Sequence, residues 1–144
     1  MKKVPKIKVM LVDDHDMVRE GVGFAIETME GIELTGKVKS GEEALATCRQ
    51  NRPDVILMDI VMPGMDGIET TRQIKAICPK VQIVILTSFR DSEYIHPALK
   101  AGATGYVLKN STVDELEEVI KKAHKHQSTY SSEVEKALEK DDGA

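Results

Sequence analysis

The sequence predicts an α/β domain built as a doubly wound, five-stranded parallel sheet with helices on both faces. Three observations carry that prediction. Short runs of aliphatic and β-branched residues recur, and one of them, Val55-Ile56-Leu57-Met58, is apolar throughout, as a strand buried on both faces must be. Between the runs lie segments with apolar residues every three or four positions, the spacing of one helix face. Gly, Pro, Ser and Asp punctuate the boundaries. Strict alternation of strand and helix is the pattern of a parallel sheet, because each crossover lays a helix on one face or the other.

Ile7–Val12 is the first strand, and Asp13-Asp14-His15-Asp16 follows at once. Helical spacing then appears in Val18, Val22, Ala25, Ile26 and Met29, and Gly31 ends that helix. Ile32–Val38 alternates more than the first strand, which suits a sheet edge. Ser40-Gly41-Glu42-Glu43 is a capping-box pattern opening a helix through Ala44, Leu45 and Cys48, closed by Pro53. The third strand ends in Asp59, and Pro63-Gly64 and Asp66-Gly67 turn the chain behind it. Proline presets φ there, and glycine accepts positive φ. Asp66 also reads as an N-cap, with Glu69 three residues on, before a helix through Ile68, Ile74 and Ile77 that Pro79 stops.

Residues 81–86 form the fourth strand, ending in Thr87-Ser88, and the next helix runs through Ile95, Leu99 and Ala101 to Gly102. Pro97 lies inside that helix, where it removes a donor and crowds the preceding turn. Its first turn is therefore expected to be short, kinked or displaced. Gly105–Leu108 is the fifth strand and ends in Lys109. Thr112-Val113-Asp114-Glu115 caps a last helix with Leu116, Val119, Ile120 and Ala123 on one face. From Gln127 onward the periodicity decays. Ser132-Glu133-Val134-Glu135 could open a short helix, but Asp141-Asp142-Gly143-Ala144 is polar. Residues 1–126 are thus expected to form the domain, and residues 127–144 a linker or tail cut from something longer.

Composition narrows the class. A chain of 144 residues can bury one sizeable core, and 41% apolar with 31% charged residues fits a soluble globular protein. A net charge of −4 gives no global basic field for nucleic acid. The aromatic residues are Phe24, Phe89, Tyr94, Tyr106 and Tyr130 alone, so the core must be aliphatic and rich in methionine. No run approaches the roughly 18 apolar residues of a membrane span. Met1-Lys2-Lys3 leads into a strand rather than a signal segment, so a cytoplasmic protein without membrane contact is expected. Cys48 and Cys78 lack CxxC spacing and read as reduced, structural thiols.

The strand ends supply the chemistry: Asp13 and Asp14 after the first, Asp59 after the third, Thr87 after the fourth, Lys109 after the fifth. A parallel sheet brings all of them to one rim, where open α/β sheets bind ligands. Taken singly, each is an ordinary capping or surface residue. Three carboxylates close together repel, which raises their pKa values unless a cation intervenes. A hard divalent ion such as Mg²⁺ takes one or two carboxylates and keeps waters and phosphate oxygens. Lys109 adds a positive charge and Thr87 a hydroxyl donor. Such a pocket can neutralise an incoming phosphoryl group while one carboxylate attacks it in line, and Asp59 is the candidate nucleophile.

Four pieces together resemble the receiver domain of a two-component response regulator, over about residues 6–126. They are Val12-Asp13-Asp14-His15, Leu57-Met58-Asp59-Ile60-Val61-Met62-Pro63-Gly64-Met65-Asp66-Gly67, Leu86-Thr87-Ser88 and Ala101-Gly102-Ala103-Thr104-Gly105-Tyr106-Val107-Leu108-Lys109. The last piece and the Asp14-His15 pair resemble the subfamily whose full-length members carry a NarL/LuxR-type helix-turn-helix. The resemblance implies a flavodoxin-like (βα)5 fold with strand order 2-1-3-4-5. It implies that Asp59 accepts a phosphoryl group from a sensor histidine kinase. It implies a Mg²⁺ cofactor on Asp14, Asp59 and the Val61 carbonyl, with Asp13 acting through water. Thr87 and Lys109 would bind phosphoryl oxygens. Tyr106 would change rotamer with Thr87, unless it is merely an exposed strand aromatic.

No turnover enzyme is implied, only self-catalysed transfer to Asp59 and slow autodephosphorylation. The implied partners are the kinase, a second copy on phosphorylation, and DNA through an output domain missing from this chain. Val61 and Phe89 would flank the path of water to the phosphorus and keep it dry, unless Phe89 packs under the following loop instead. Many receivers place Pro after the Lys, often with a cis peptide. Asn110 stands here, and a cis bond before it would cost about 2.5–4 kcal/mol, so trans is expected.

Three rival readings draw on the same residues. A flavin-phosphate site fails because the loop after the first strand has no glycine nest and the wrong charge. A haloacid-dehalogenase-type phosphatase fits Asp14-His15-Asp16-Met17-Val18 as D-x-D-x-V, with Leu86-Thr87 and Lys109 as further motifs. Against it, Asp142 follows no strand, the chain is short, and the Asp59 loop is left without a function. A degenerate receiver serving only as an interaction module is disfavoured by the intact five-residue set.

Overall fold

Alternation along parallel strands sends successive side chains to opposite faces, so a strand that is apolar at every position needs helices on both sides. In the computed structural model, which describes residues 5–87, 92–126 and 129–130, that arrangement is met. The elements in chain order are β1 (Ile7–Val12), α1 (Asp16–Glu27), β2 (Ile32–Val38), α2 (Gly41–Gln50), β3 (Val55–Asp59), α3 (Gly67–Ile77), β4 (Gln82–Thr87), α4 (Ser92–Ala101), β5 (Gly105–Leu108), α5 (Val113–His124) and β6 (Thr129–Tyr130). All neighbouring strands pair in parallel, in the order β2-β1-β3-β4-β5-β6.

The five expected strands thus stand in the expected order, with β2 at one edge. The addition is β6, two residues inside the stretch read as a linker, which pairs Thr129 with Gly105 and Tyr106 with Tyr130. Without it β5 would expose a row of unpaired backbone groups. Two residues carry no periodicity, so no sequence pattern announces such a strand. Ser88, Phe89, the candidate helix at Ser132 and the acidic end at Asp141 lie outside the described residues.

The core divides across the sheet. Met10, Ile56, Met58, Ile83, Ile85 and Tyr106 pack beneath α2, α3 and α4 through Ala44, Leu45, Ile74, Ile95 and Ala98. Val9, Leu11, Leu57, Val84, Leu86 and Val107 pack on the other face against Ile26 of α1 and Leu116, Val119 and Ile120 of α5. Tyr106 is fully buried, so it is not an exposed strand aromatic. Cys48 and Cys78 are buried free thiols, and burial, then the charge of Cys78, pushes the Cys48 thiol up to about 12. Among the described residues no helix is long and apolar enough to cross a membrane.

Helix ends follow local chemistry. Thr112 and Glu115 form a complete capping box on α5. On α2 the Ser40 hydroxyl accepts from the Glu43 amide, but the Glu43 carboxylate turns back to the amide of Lys39 at 3.3 Å. Helix α1 stops at Glu27, before Met29, because the Thr28 hydroxyl takes the Ala25 carbonyl at 2.6 Å and Gly31 then turns the chain with φ of 78°. Pro97 sits inside α4 with a single turn ahead of it.

Behind Asp59 the chain is closed tightly. The Gly67 amide donates to the Ile60 carbonyl at 2.8 Å, Asp66 caps α3 through the Glu69 amide at 2.8 Å, and the Thr70 hydroxyl donates to the Asp66 carbonyl at 2.7 Å. A Cβ at position 67 would overlap the Asp59 carbonyl oxygen. Gly21, in contrast, lies in mid-α1 with nothing within 4 Å of a built Cβ. Two glycine-to-alanine changes should therefore have opposite signs. Gly67→Ala should lose about 2–3 kcal/mol through overpacking. Gly21→Ala should gain about 0.5–1 kcal/mol through helix propensity. Urea midpoints at unchanged slope measure both. Equal midpoints for Gly67→Ala and the parent would mean the loop yields easily.

Candidate functional site

Four strand ends meet at one rim. The Asp13 amide still donates to Val38 of β2 at 3.1 Å, so Asp13 continues β1 by one residue. Arg19, one turn into α1, holds the Asp13 carbonyl at 2.8 Å and Asp16 at 2.6 Å. Asp59 is the last residue of β3, in register with Leu86 of β4. Thr87 ends β4, and the Lys109 amide donates to its carbonyl at 2.7 Å, which carries Lys109 to the same height.

The side chains then converge. Lys109 Nζ lies 2.8 Å from Asp13 Oδ2 and 3.3 Å from Asp59 Oδ2. These are ion-pair contacts, and neither oxygen meets a further hydrogen-bond donor. Asp14 Oδ1 lacks one as well. His15 closes over the group: its amide donates to Asp13 Oδ1 at 2.8 Å, and its Nδ1 lies 3.0 Å from the same oxygen. Asp13, Asp14, His15 and Asp59 present donor atoms all within 4.8 Å of one another. Buried carboxylate oxygens without hydrogen bonds are costly unless a cation takes them. The three carboxylates in this donor set therefore fit a divalent cation.

Electrostatics agree with that reading. Burial first, and the Asp13 charge second, push the Asp59 carboxyl from 3.8 up to about 6, while Lys109 pulls it back and Asp14 adds to the rise. Asp13 is more deeply buried than Asp59, at 0% against 3% exposure.

The expected residues Asp13, Asp14, Asp59 and Lys109 are thus brought into contact, and Thr87 is buried at the same rim. Tyr106 lies one strand over from Thr87, in register with Ile85. Val61 is 58% exposed in the loop after β3. The Lys109–Asn110 peptide is trans, as expected. Sequence reasoning passed over His15 and Arg19 as members of the site. The signal for His15 was its place beside the acidic pair, and for Arg19 its i+3 spacing from Asp16. Asp16, the second carboxylate of the phosphatase pattern, is 86% exposed and stands outside the cluster, paired with Arg19.

The raised Asp59 pKa fixes a sign. Below about pH 3.8 the carboxyl is protonated folded or unfolded; between 3.8 and about 6 the folded state alone holds the proton, so stability falls as pH rises through that window. Above it the full penalty applies, at most about 3 kcal/mol. Asp59→Asn should therefore raise the melting temperature of the metal-free protein at pH 7.5 and lose that advantage near pH 4. Thermal melts in EDTA at the two values decide it, and an Asn variant less stable at pH 7.5 would contradict the electrostatic account.

The response regulator receiver domain family matches residues 9–121. Response regulator protein VraR of Staphylococcus aureus is 40% identical over 128 residues, 89% of this chain and 61% of its own length. The chain thus spans less than two thirds of that curated relative. A LuxR-family two-component response regulator from Aurantimonas sp. SI85-9A1 superposes with a TM-score of 0.91 at 32% identity, covering 96% of this chain and 99% of that one. The response regulator RcsB, solved in complex with DNA, gives a TM-score of 0.86 at 25% identity, covering 94% of this chain and 68% of its own. With this fold, this rim and these matches, the chain belongs to the response regulator receiver domain family, with LuxR-type regulators among its neighbours.

Proposed function

We propose that Asp59 is the phosphoacceptor of this receiver domain, taking a phosphoryl group from a sensor histidine kinase. One observation carries the reading: Asp59 Oδ2 is buried at a strand end without a hydrogen bond, 3.3 Å from the Lys109 ammonium. In the transfer a P–O bond forms to Asp59 as the P–N bond to the donor histidine breaks and its electron pair returns to the imidazole. Asp14, Asp59 and the Val61 carbonyl would hold Mg²⁺, with Asp13 reaching it through water. That ion supplies charge neutralisation between the carboxylates and the phosphoryl oxygens.

The chain's own groups do the rest. Lys109 already faces the acceptor oxygen, and its second contact to Asp13 keeps the ammonium from swinging away. The Thr87 hydroxyl donates to a phosphoryl oxygen, and Tyr106 follows it from the adjacent strand. No turnover is required of the site, because the product remains on the protein. By analogy with the longer relatives, the full protein is a cytoplasmic transcriptional regulator. In it, phosphorylation promotes a homodimer and a helix-turn-helix domain contacts DNA.

Incubation with acetyl phosphate and Mg²⁺ should add one phosphoryl group to the intact mass, and EDTA should abolish the gain. Full labelling of Asp59→Asn would overturn the assignment. Once formed, the acyl phosphate should decay slowly, because exposed Val61, two residues past Asp59, can neither orient nor hydrogen-bond an attacking water. Val61→Asn should quicken decay. A tenfold change corresponds to about 1.4 kcal/mol in the barrier. Unaltered decay would mean that water enters by another route.

A further inference from the structure

We infer that His15 Nδ1 is a further ligand of the cation site, making it a mixed nitrogen–oxygen site that favours Mn²⁺ or Co²⁺ over Mg²⁺. The inference rests on reading the rim as a divalent-cation site and adds to it a determinant of which cation is taken.

Position is the first support. His15 is the N-cap residue of α1, yet its side chain caps nothing. Its backbone is pinned on both sides, the amide to Asp13 Oδ1 at 2.8 Å and the carbonyl accepting from the Arg19 amide at 3.0 Å. The ring is 60% exposed, but its base is fixed, and it leans over the carboxylates. Spacing is the second. Nδ1 stands 3.3 Å from Asp14 Oδ1 and 3.8 Å from Asp59 Oδ2. Neighbouring donors on an ion with bonds of about 2.1 Å lie about 3.0–3.4 Å apart, so the cluster is near the size a coordination shell requires.

The third support is what the oxygens lack. Asp14 Oδ1 and Asp59 Oδ2 face Nδ1 without hydrogen bonds, Asp59 Oδ2 meeting otherwise only the Lys109 ammonium at 3.3 Å, and the Asp59 side chain is only 4% exposed. Nδ1 also lies within hydrogen-bond distance of Asp13 Oδ1, at 3.0 Å, a contact that a bound cation would replace. As a ligand, Nδ1 presents its lone pair and the proton sits on Nε2 of the exposed ring. Imidazole suits later and softer ions than Mg²⁺, whose preferred donors are carboxylate, carbonyl and water. Exchanging one oxygen donor for this nitrogen shifts preference along the first-row series.

The direct test is pulsed electron paramagnetic resonance of Mn²⁺ bound to the protein, with calorimetric affinities for Mn²⁺, Co²⁺ and Mg²⁺. The parent should show coupling of the Mn²⁺ spin to a ¹⁴N nucleus, and selective ¹⁵N-histidine labelling should change it. His15→Phe should abolish the coupling and reduce the Mn²⁺-over-Mg²⁺ preference by about tenfold, the scale on which even outer partners of metal ligands act. Labelling uses the unaltered chain, so misfolding of the variant cannot imitate the result. Mn²⁺ bound without nitrogen coupling would overturn the role of His15 and leave the cation site standing. Failure of all three ions to bind the parent would overturn both.

Discussion

Like-charge repulsion at the rim of the sheet is the constraint on which the rest of this structure depends. Asp13, Asp14 and Asp59 meet within a few ångströms, and the Lys109 ammonium is the basic side chain in contact with the first and last of them. One ammonium against three carboxylates leaves two negative charges when all are ionised, the charge of one divalent cation. Burial makes the imbalance worse, since water that would screen it is excluded. The raised pKa of Asp59 is the record of that tension in a single group. A cation or a proton relieves it, and an approaching phosphoryl group is accepted only where positive charge outweighs it.

The fold exists to keep those charges from drifting apart. Sheet register, rather than side-chain packing, sets the height of each group: Asp13 is tied to Val38, Asp59 stands opposite Leu86, and Lys109 hangs on the Thr87 carbonyl. Two aliphatic layers clamp the sheet from both faces, so the strand ends cannot splay to dilute the repulsion. The Gly67 closure then fixes the chain just after Asp59, where any side chain would meet the Asp59 carbonyl.

Much of this was legible because it repeats. Apolar strands, caps at Asp66 and Thr112, and one polar residue at the end of each central strand recur at regular spacing, and a parallel sheet converts that recurrence into a single rim. What escaped was non-repeating. The β6 pairing rests on backbone groups of β5 that any two residues could satisfy. The early end of α1 rests on one threonine hydroxyl competing for a carbonyl. His15 was seen beside the acidic pair, but a strand-to-helix turn can aim that ring in several directions. Only the pinned backbone directs it inward. That Asp13 is buried as completely as Asp59, although β3 is the more central strand, is not stated by the order of residues along the chain.

A signal leaving this site must draw on contacts that differ between its two states, since a ligand shifts an equilibrium only by its differential affinity. The groups able to supply that difference are contiguous. Lys109 faces Asp59 and shares a backbone bond with Thr87, and Thr87 pairs with Leu108, two residues beyond buried Tyr106. A phosphoryl group on Asp59 would compete with Asp13 for the Lys109 ammonium and with present partners for the Thr87 hydroxyl. Both adjustments pull on the end of β4 and the start of the turn after β5. Because Tyr106 has no exposed surface, any volume vacated beside it must be filled by the ring or left as a cavity. The same burial that makes Asp59 costly to ionise would thus make a group added to it hard to absorb locally. A close-packed core would pass such a change to neighbouring side chains rather than take it up in place.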